Sequence, residues 1–158
     1  MVDIGDTAPD FTVPLANGDV ETFTLSEHLD EAPIVLAFFP AAFTNTCTTE
    51  MCTFRDQLSN FEDIGATVYG ISVDLPYTLN EFRRQNDLNF GLLSDEQREL
   101  IEAYDVAEAW EPRDIRVAQR AVFVVDSDGR VTYRWIGDNP KQEPDYEAVR
   151  QAAAEAAD

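Results

Sequence analysis

The chain holds two thiols, Cys47 and Cys52, five positions apart within "FFPAAFTNTCTTEMC", residues 38–52. Four kinds of chemistry compete for such a pair. A structural zinc site needs four ligands. Here there are two cysteines and one histidine, His28, which reads more simply as a surface residue beside a capped helical stretch. A thiol–disulfide exchanger places its cysteines as C-x-x-C at a helix start, and C-x4-C does not match that spacing. Inert packing stays open, because free cysteine is among the most buried residue types. The fourth reading is a thiol that attacks peroxide.

The local sequence suits that last reading. Thr44 stands where an N-cap belongs, which puts Cys47 at the third helical position. There the unpaired backbone N–H groups and the helix dipole stabilise a thiolate, the reactive form of cysteine. No histidine lies close in sequence, so an arginine is the expected cation. Once oxidised to a sulfenic acid, Cys47 would condense with a second thiol. On an unbroken helix, residues five apart have Cα atoms about 8.6 Å apart, beyond the ~7 Å limit for a disulfide. A Cys47–Cys52 bridge therefore requires the first turns of this helix to unwind. Glu50 lies one turn after Cys47, where a carboxylate opposes a thiolate; it can instead orient an arginine or favour the helix N-terminus. Arg55 is about 12 Å along the helix from Cys47, too far to touch it.

These residues need a scaffold, and the composition supplies one. The 158 residues fit a single domain spanning 1–158, and 44% hydrophobic residues are enough for a real core. Formal charge is −20, from 31 acidic and 11 basic residues, of which Lys141 is the only lysine. A field this negative argues against nucleic acid and anionic membranes as partners. It fits a soluble protein of a high-salt, halophilic cytoplasm, with a basic partner as the alternative. "MVDIGDTAPDF" has neither the basic start nor the apolar stretch of a secretory signal, and no apolar run approaches the roughly 20 residues of a membrane span. In a reducing cytoplasm two cysteines point to catalysis before a structural staple.

Along the chain, "FTVPL" and "VETFTL" flank Asn17-Gly18 as a hairpin, and Ser26 caps a short helical stretch. "APIVLAFFP" and "ATVYGISVD" read as strands buried on both faces, the first ended by Pro40. Helices are expected from Thr44 to about Phe61, over 77–87 and over 95–104, with "FGLLSD" a short strand between the last two. Residues 105–119, with Trp110 and Pro112, read as a polar loop. "RAVFVVDSDGRVTYRWIG" is a second hairpin, and Pro144 opens a final helix through 145–156. The sum is α/β, a mixed central sheet with helices on both faces.

"PAAFTNTC", with Pro40, Thr44 and Cys47 in that spacing, resembles the signature of the peroxiredoxins, the AhpC/TSA superfamily. "GDTAPDF" near the start and "RAVFVVDSDG", where Arg120 opens a strand, resemble further family segments in the family's order. The resemblance implies a thioredoxin fold with an N-terminal β-hairpin extension, and thiol-dependent reduction of hydrogen peroxide and organic hydroperoxides. It implies that Cys47 is the peroxidatic nucleophile, that the Thr44 hydroxyl bonds the attacked peroxide, that Arg120 stabilises thiolate and leaving oxygen, and that Pro40 shields the thiol. It implies no metal or flavin, and a thioredoxin-like reductant. C-x4-C is similar to the Q-type (bacterioferritin comigratory) group, in which Cys52 would resolve Cys47. "FFPAAFT" and "FGLLSD" are also similar to E-type alkyl hydroperoxide reductases, many of which lack a resolving cysteine and form homodimers. The rival from another class is a non-catalytic thioredoxin-fold redox sensor or binding protein. Trp110 reads equally as pocket wall, dimer contact or core residue.

Overall fold

The longest apolar runs of the sequence become neighbouring strands at the centre of one sheet. The computed structural model describes residues 2–157. Strands β1 (Thr12–Ala16) and β2 (Val20–Thr24) form the N-terminal hairpin, and β3 (Ile34–Phe38) follows two 3-10 turns. Helix α1 (Asn45–Asp63), β4 (Thr67–Ser72), α2 (Pro76–Asn86), β5 (Leu92–Ser94) and α3 (Glu99–Ala103) come next. Strands β6 (Ala107–Trp110), β7 (Ile115–Ala118), β8 (Ala121–Val125) and β9 (Val131–Ile136), then α4 (Tyr146–Ala156), complete the chain. The seven-stranded sheet runs β2-β1-β5-β4-β3-β8-β9, with β6 and β7 paired separately. β3 lies parallel to β4 and antiparallel to β8, and β4 lies parallel to β5. This is the mixed, helix-flanked sheet expected, with the N-terminal hairpin added at one edge.

Why β3 and β8 are apolar throughout follows from their position. Side chains alternate across a strand, and each face of the sheet carries its own core. Ile34, Leu36, Phe38, Ala121, Phe123 and Val125 enter one cluster, which α3 closes with Leu100 and Ile101. Val35, Ala37, Val122 and Val124 enter the other, covered by Met51, Phe54, Leu58 and Phe61 of α1, Leu79 and Phe82 of α2, and Val149 and Ala153 of α4. Strands buried on both faces have no polar alternation to show.

The helix that carries both cysteines is pressed hard onto this second face. A Cβ at Gly70 of β4 would lie 2.8 Å from Met51 Sδ and 2.7 Å from Leu92 Cδ2, so only glycine admits this approach. At the outer side of α1, Phe54 packs its ring on Phe61 and edge-on against Tyr146 of α4, at 5.9 and 5.2 Å between centroids.

Several local expectations are corrected. Residues 105–119 are not a loop: they hold the β6–β7 hairpin, whose registry pairs Ala107 with Ala118 and Trp110 with Ile115. Its strands have four residues each and carry Glu108 and Arg116, too short and too polar to stand out by periodicity. The helix expected over 95–104 begins only at Glu99, because Asp95 stays outside it and accepts from the N–H groups of Leu100 and Ile101 at 3.0 and 2.9 Å. Ser26 lies inside a 3-10 turn and caps nothing; its N–H and hydroxyl both donate to the Asp10 carboxylate. Pro144 precedes the N-cap of α4, which is Asp145, accepting from Ala148 N–H at 3.1 Å. His28 is half-buried, stacked on Phe23 with centroids 4.2 Å apart and hydrogen-bonded through Nδ1 to Thr24 O. It is part of the packing under the N-terminal hairpin.

If Phe54 anchors α1 to both sheet and α4, Phe54→Ala should cost about 3–4 kcal/mol of unfolding free energy by urea titration. A loss below about 1 kcal/mol would contradict this packing.

Candidate active site

The loop 40–44 delivers the chain from the end of β3 into α1. Phe43 adopts φ +68°, a left-handed conformation that bulky residues rarely take. Thr44 is the N-cap by position, with φ −95° and ψ 156°, and its carbonyl accepts the first helical bond from Thr48 N–H at 2.9 Å. Its side chain does not cap. The Thr44 hydroxyl turns back and donates to Ala41 O at 2.7 Å. The first turn of α1 also contains no acidic residue, although the chain carries 31 of them. The N–H groups and the positive end of the helix dipole therefore stay uncompensated by any side-chain carboxylate of that turn.

Cys47 occupies the third helical position, as expected, and is only 1% exposed. Arg120, the residue just before β8, reaches it across the sheet: Nη2 donates to Cys47 Sγ at 3.3 Å. The same guanidinium donates through Nη1 to Glu50 Oε1 at 2.8 Å, and through Nε and Nη2 to Pro140 O at 3.2 and 2.6 Å. All of this is buried, with Arg120 2% and Glu50 0% exposed. Burial opposes the charge of Arg120, yet Glu50 and Cys47 outweigh it and hold the guanidinium above its ordinary range. Glu50 is the reverse case. Burial pushes its carboxyl up to about 7, and Arg120 only partly pulls it back. Among the described residues its Oε2 is the one buried side-chain oxygen or nitrogen without a hydrogen-bond partner. One cation thus serves two groups that can each carry a negative charge. Of the roles weighed for Glu50, orienting an arginine is the one its contacts match.

A cavity of about 210 Å³ opens beside the thiol, walled by Pro40, Thr44, Cys47, Trp110, Arg120 and Lys141. Larger clefts exist, such as one of about 490 Å³ along α2 near Tyr77 and Arg83, but it holds no thiol. Four of the five residues named from the sequence, Pro40, Thr44, Cys47 and Arg120, therefore meet at one place. Cys52 does not. It is half-buried, its Sγ 3.7 Å from Asn86 Oδ1 at the end of α2. Both thiols are free, and α1 runs unbroken between them. Arg55 bonds Asp56 and Asn86 O, well away from Cys47. Trp110 stands at the pocket wall. The carbonyl of Pro140 was not legible as a site group, since nothing in a sequence marks a carbonyl; Lys141 was marked only as the sole lysine.

Comparison with known proteins gives a consistent answer. The AhpC/TSA family model matches residues 4–134. Peroxiredoxin Bcp of Bacillus subtilis is 34% identical over 139 residues, covering 85% of each chain. Among solved structures, peroxidoxin BcpB of Mycobacterium tuberculosis is 30% identical with a TM-score of 0.83, covering 98% of this chain and 96% of that one. A cysteine mutant of Xylella fastidiosa PrxQ is 27% identical with a TM-score of 0.84, covering 100% and 99%.

The raised Glu50 carboxyl makes a signed prediction. Its folded-state value, about 7, lies above its ordinary 4.5, so the folded state binds the extra proton. The stability this contributes is complete below pH 4.5 and is lost as pH rises through 7. In a Cys47→Ser background, which leaves Glu50 as the one acidic partner of Arg120 at the site, Glu50→Gln should flatten the decline between pH 5 and 8 by roughly 2–3 kcal/mol in urea unfolding. Parallel curves for the two proteins would show that Glu50 stays charged throughout.

Proposed function

Since the chain belongs to the AhpC/TSA family of thiol-dependent peroxidases, among its Bcp- and Q-type peroxiredoxins, we propose that Cys47 is its peroxidatic nucleophile. The observation that carries this assignment is the 3.3 Å contact of the Arg120 guanidinium with Cys47 Sγ at the start of α1. The whole of 1–158 is taken as one catalytic domain.

The chemistry follows from the donors available. A Cys47 thiolate attacks one oxygen of the hydroperoxide, an S–O bond forms, and the O–O bond breaks. The electron pair leaves on the other oxygen, which takes up a proton and departs as water or an alcohol. Negative charge spreads over both oxygens in between, and fixed donors at that point are worth several kcal/mol, about 3–4 for one well-placed donor. Arg120 can supply such a donor because its planar fork reaches Sγ while its other nitrogens stay anchored. Thr44 has a defined part. Its hydroxyl proton is committed to Ala41 O, so its lone pairs are left to accept the O–H of the incoming hydroperoxide. Pro40 offers no N–H and lines the wall beside the thiol, excluding water.

The sulfenic acid is then attacked by Cys52, expelling water and giving an intramolecular disulfide. Support for this role is the pairing of two free thiols on one helix; the obstacle is geometric. The intact helix holds their Cα atoms about 8.6 Å apart, so the first turns of α1 unwind before the bridge closes. A thioredoxin-like dithiol then restores both cysteines. The reaction needs no metal or flavin. We place it in a reducing cytoplasm, consistent with the highly acidic surface and with no described helix long and apolar enough to cross a membrane. A homodimer is supported by exposed Phe43, Leu75 and Tyr77, which lie where the 40–44 loop meets the start of α2 through the Ala42 N–H to Asp74 bond.

Intact mass after one equivalent of hydrogen peroxide tests the sequence of steps. The expected result is loss of two hydrogens within the monomer, replaced by gain of oxygen in Cys52→Ser. Oxygen gain in both proteins would mean a one-cysteine enzyme served by an external thiol. An unchanged mass would leave only a binding protein on this fold.

A further inference from the structure

The only lysine among 158 residues stands at the wall of the thiol's cavity. In a chain of net charge −20, whose field repels anions, a cation at the wall of this cavity offsets that repulsion locally. Nor is the lysine loosely placed. The preceding carbonyl, Pro140 O, is held by Nε and Nη2 of Arg120 at 3.2 and 2.6 Å, and Lys141 N–H donates to Asn139 Oδ1 at 2.9 Å. The backbone of Lys141 is thus tied to the same guanidinium that contacts Cys47. Its ammonium forms no ion pair among the described residues, a state that Arg83, Arg98, Arg113 and Arg130 share, whereas Arg120 beside it is paired with Glu50.

The same cavity is lined by Trp110 on β6, half-buried, its indole Nε1 donating to Glu108 Oε1 at 3.4 Å. Pro40 and Pro140 add further apolar wall. A cavity of about 210 Å³ is ample for hydrogen peroxide; cavities of about 150 Å³ hold a benzene ring. The walls therefore fit an organic group, and the edge carries a cation.

Resting on the peroxidase reading of Cys47, we propose that Lys141, with Trp110 as the apolar wall, is a specificity determinant that favours organic hydroperoxides bearing a carboxylate over their uncharged counterparts. The organic part lies against Trp110 and the prolines, its peroxide end reaches Cys47, and its carboxylate meets the Lys141 ammonium at the rim. Lys141 takes no part in O–O cleavage and makes its contribution through binding.

The test compares two probes, cumene hydroperoxide carrying a para-carboxylate and the methyl ester of the same compound, by kcat/KM. The readout is the acid-to-ester ratio in wild type, Lys141→Arg, Lys141→Gln and Lys141→Glu. Lys141→Arg should keep the ratio, Lys141→Gln should lower it about two- to fivefold, the range of a partly exposed ion pair, and Lys141→Glu should lower it further. An equal ratio in all four proteins would overturn the proposal, as would failure of wild type to reduce either organic probe while it reduces hydrogen peroxide. Failure with hydrogen peroxide as well would instead overturn the peroxidase reading on which it stands.

Discussion

The buried guanidinium of Arg120 is the interaction on which the site depends. It lies out of contact with water, and four of its donor contacts go to three groups, Cys47 Sγ, Glu50 Oε1 and Pro140 O. A charge in that position is costly unless it is paired and hydrogen-bonded. Cys47 and Glu50 come from one turn of α1, Pro140 from the segment after β9, and Arg120 from the position just before β8. The arginine therefore binds three parts of the chain into one arrangement. Removing any one partner leaves the others with unmet donors or an unmet charge.

Such an arrangement is only as fixed as the elements that carry it. The β3–β8 pairing places Ala121 opposite Phe38, so Arg120 emerges beside the loop that leads into α1. Gly70 lets Met51 sit against β4, which sets the depth of the helix one turn beyond Cys47. Phe54 and Tyr146 then hold α1 against α4. The same helix has a second requirement under the two-cysteine route: its first turns must yield. Its packing resists that step: Cys47, Glu50 and Met51 are all buried before Cys52, so unwinding has to break the Arg120 contacts to Cys47 and Glu50.

Much of this was legible in the sequence, for physical reasons. Strands buried on both faces leave continuous apolar runs, and β3, β4 and β8 show them. The helix N-terminus before Cys47 was legible from Thr44 and the spacing of Met51, Phe54, Leu58 and Phe61. The β6–β7 hairpin was not, since its short strands mix Glu108 and Arg116 with apolar residues. The use of the Thr44 hydroxyl was hidden too, because a threonine at an N-cap can bond either forward to the helix or back to the loop. Pairing of Glu50 with Arg120 spans 70 residues. Local pattern offered it only as one option for that carboxylate, and the sheet topology was needed to select it.

The measurement that tests the account most directly is the second-order rate constant for oxidation of Cys47 by hydrogen peroxide, read by stopped-flow tryptophan fluorescence in wild type and in folded Arg120→Lys. Lysine keeps the charge but loses the fork that reaches Sγ, Glu50 and Pro140 together. The account predicts a fall of about 10²–10³, the usual cost of losing one preorganised donor to developing negative charge. Rate constants within about twofold of each other would mean that the helix N-terminus alone activates the thiol, and that the Arg120 contacts serve the fold and not the reaction.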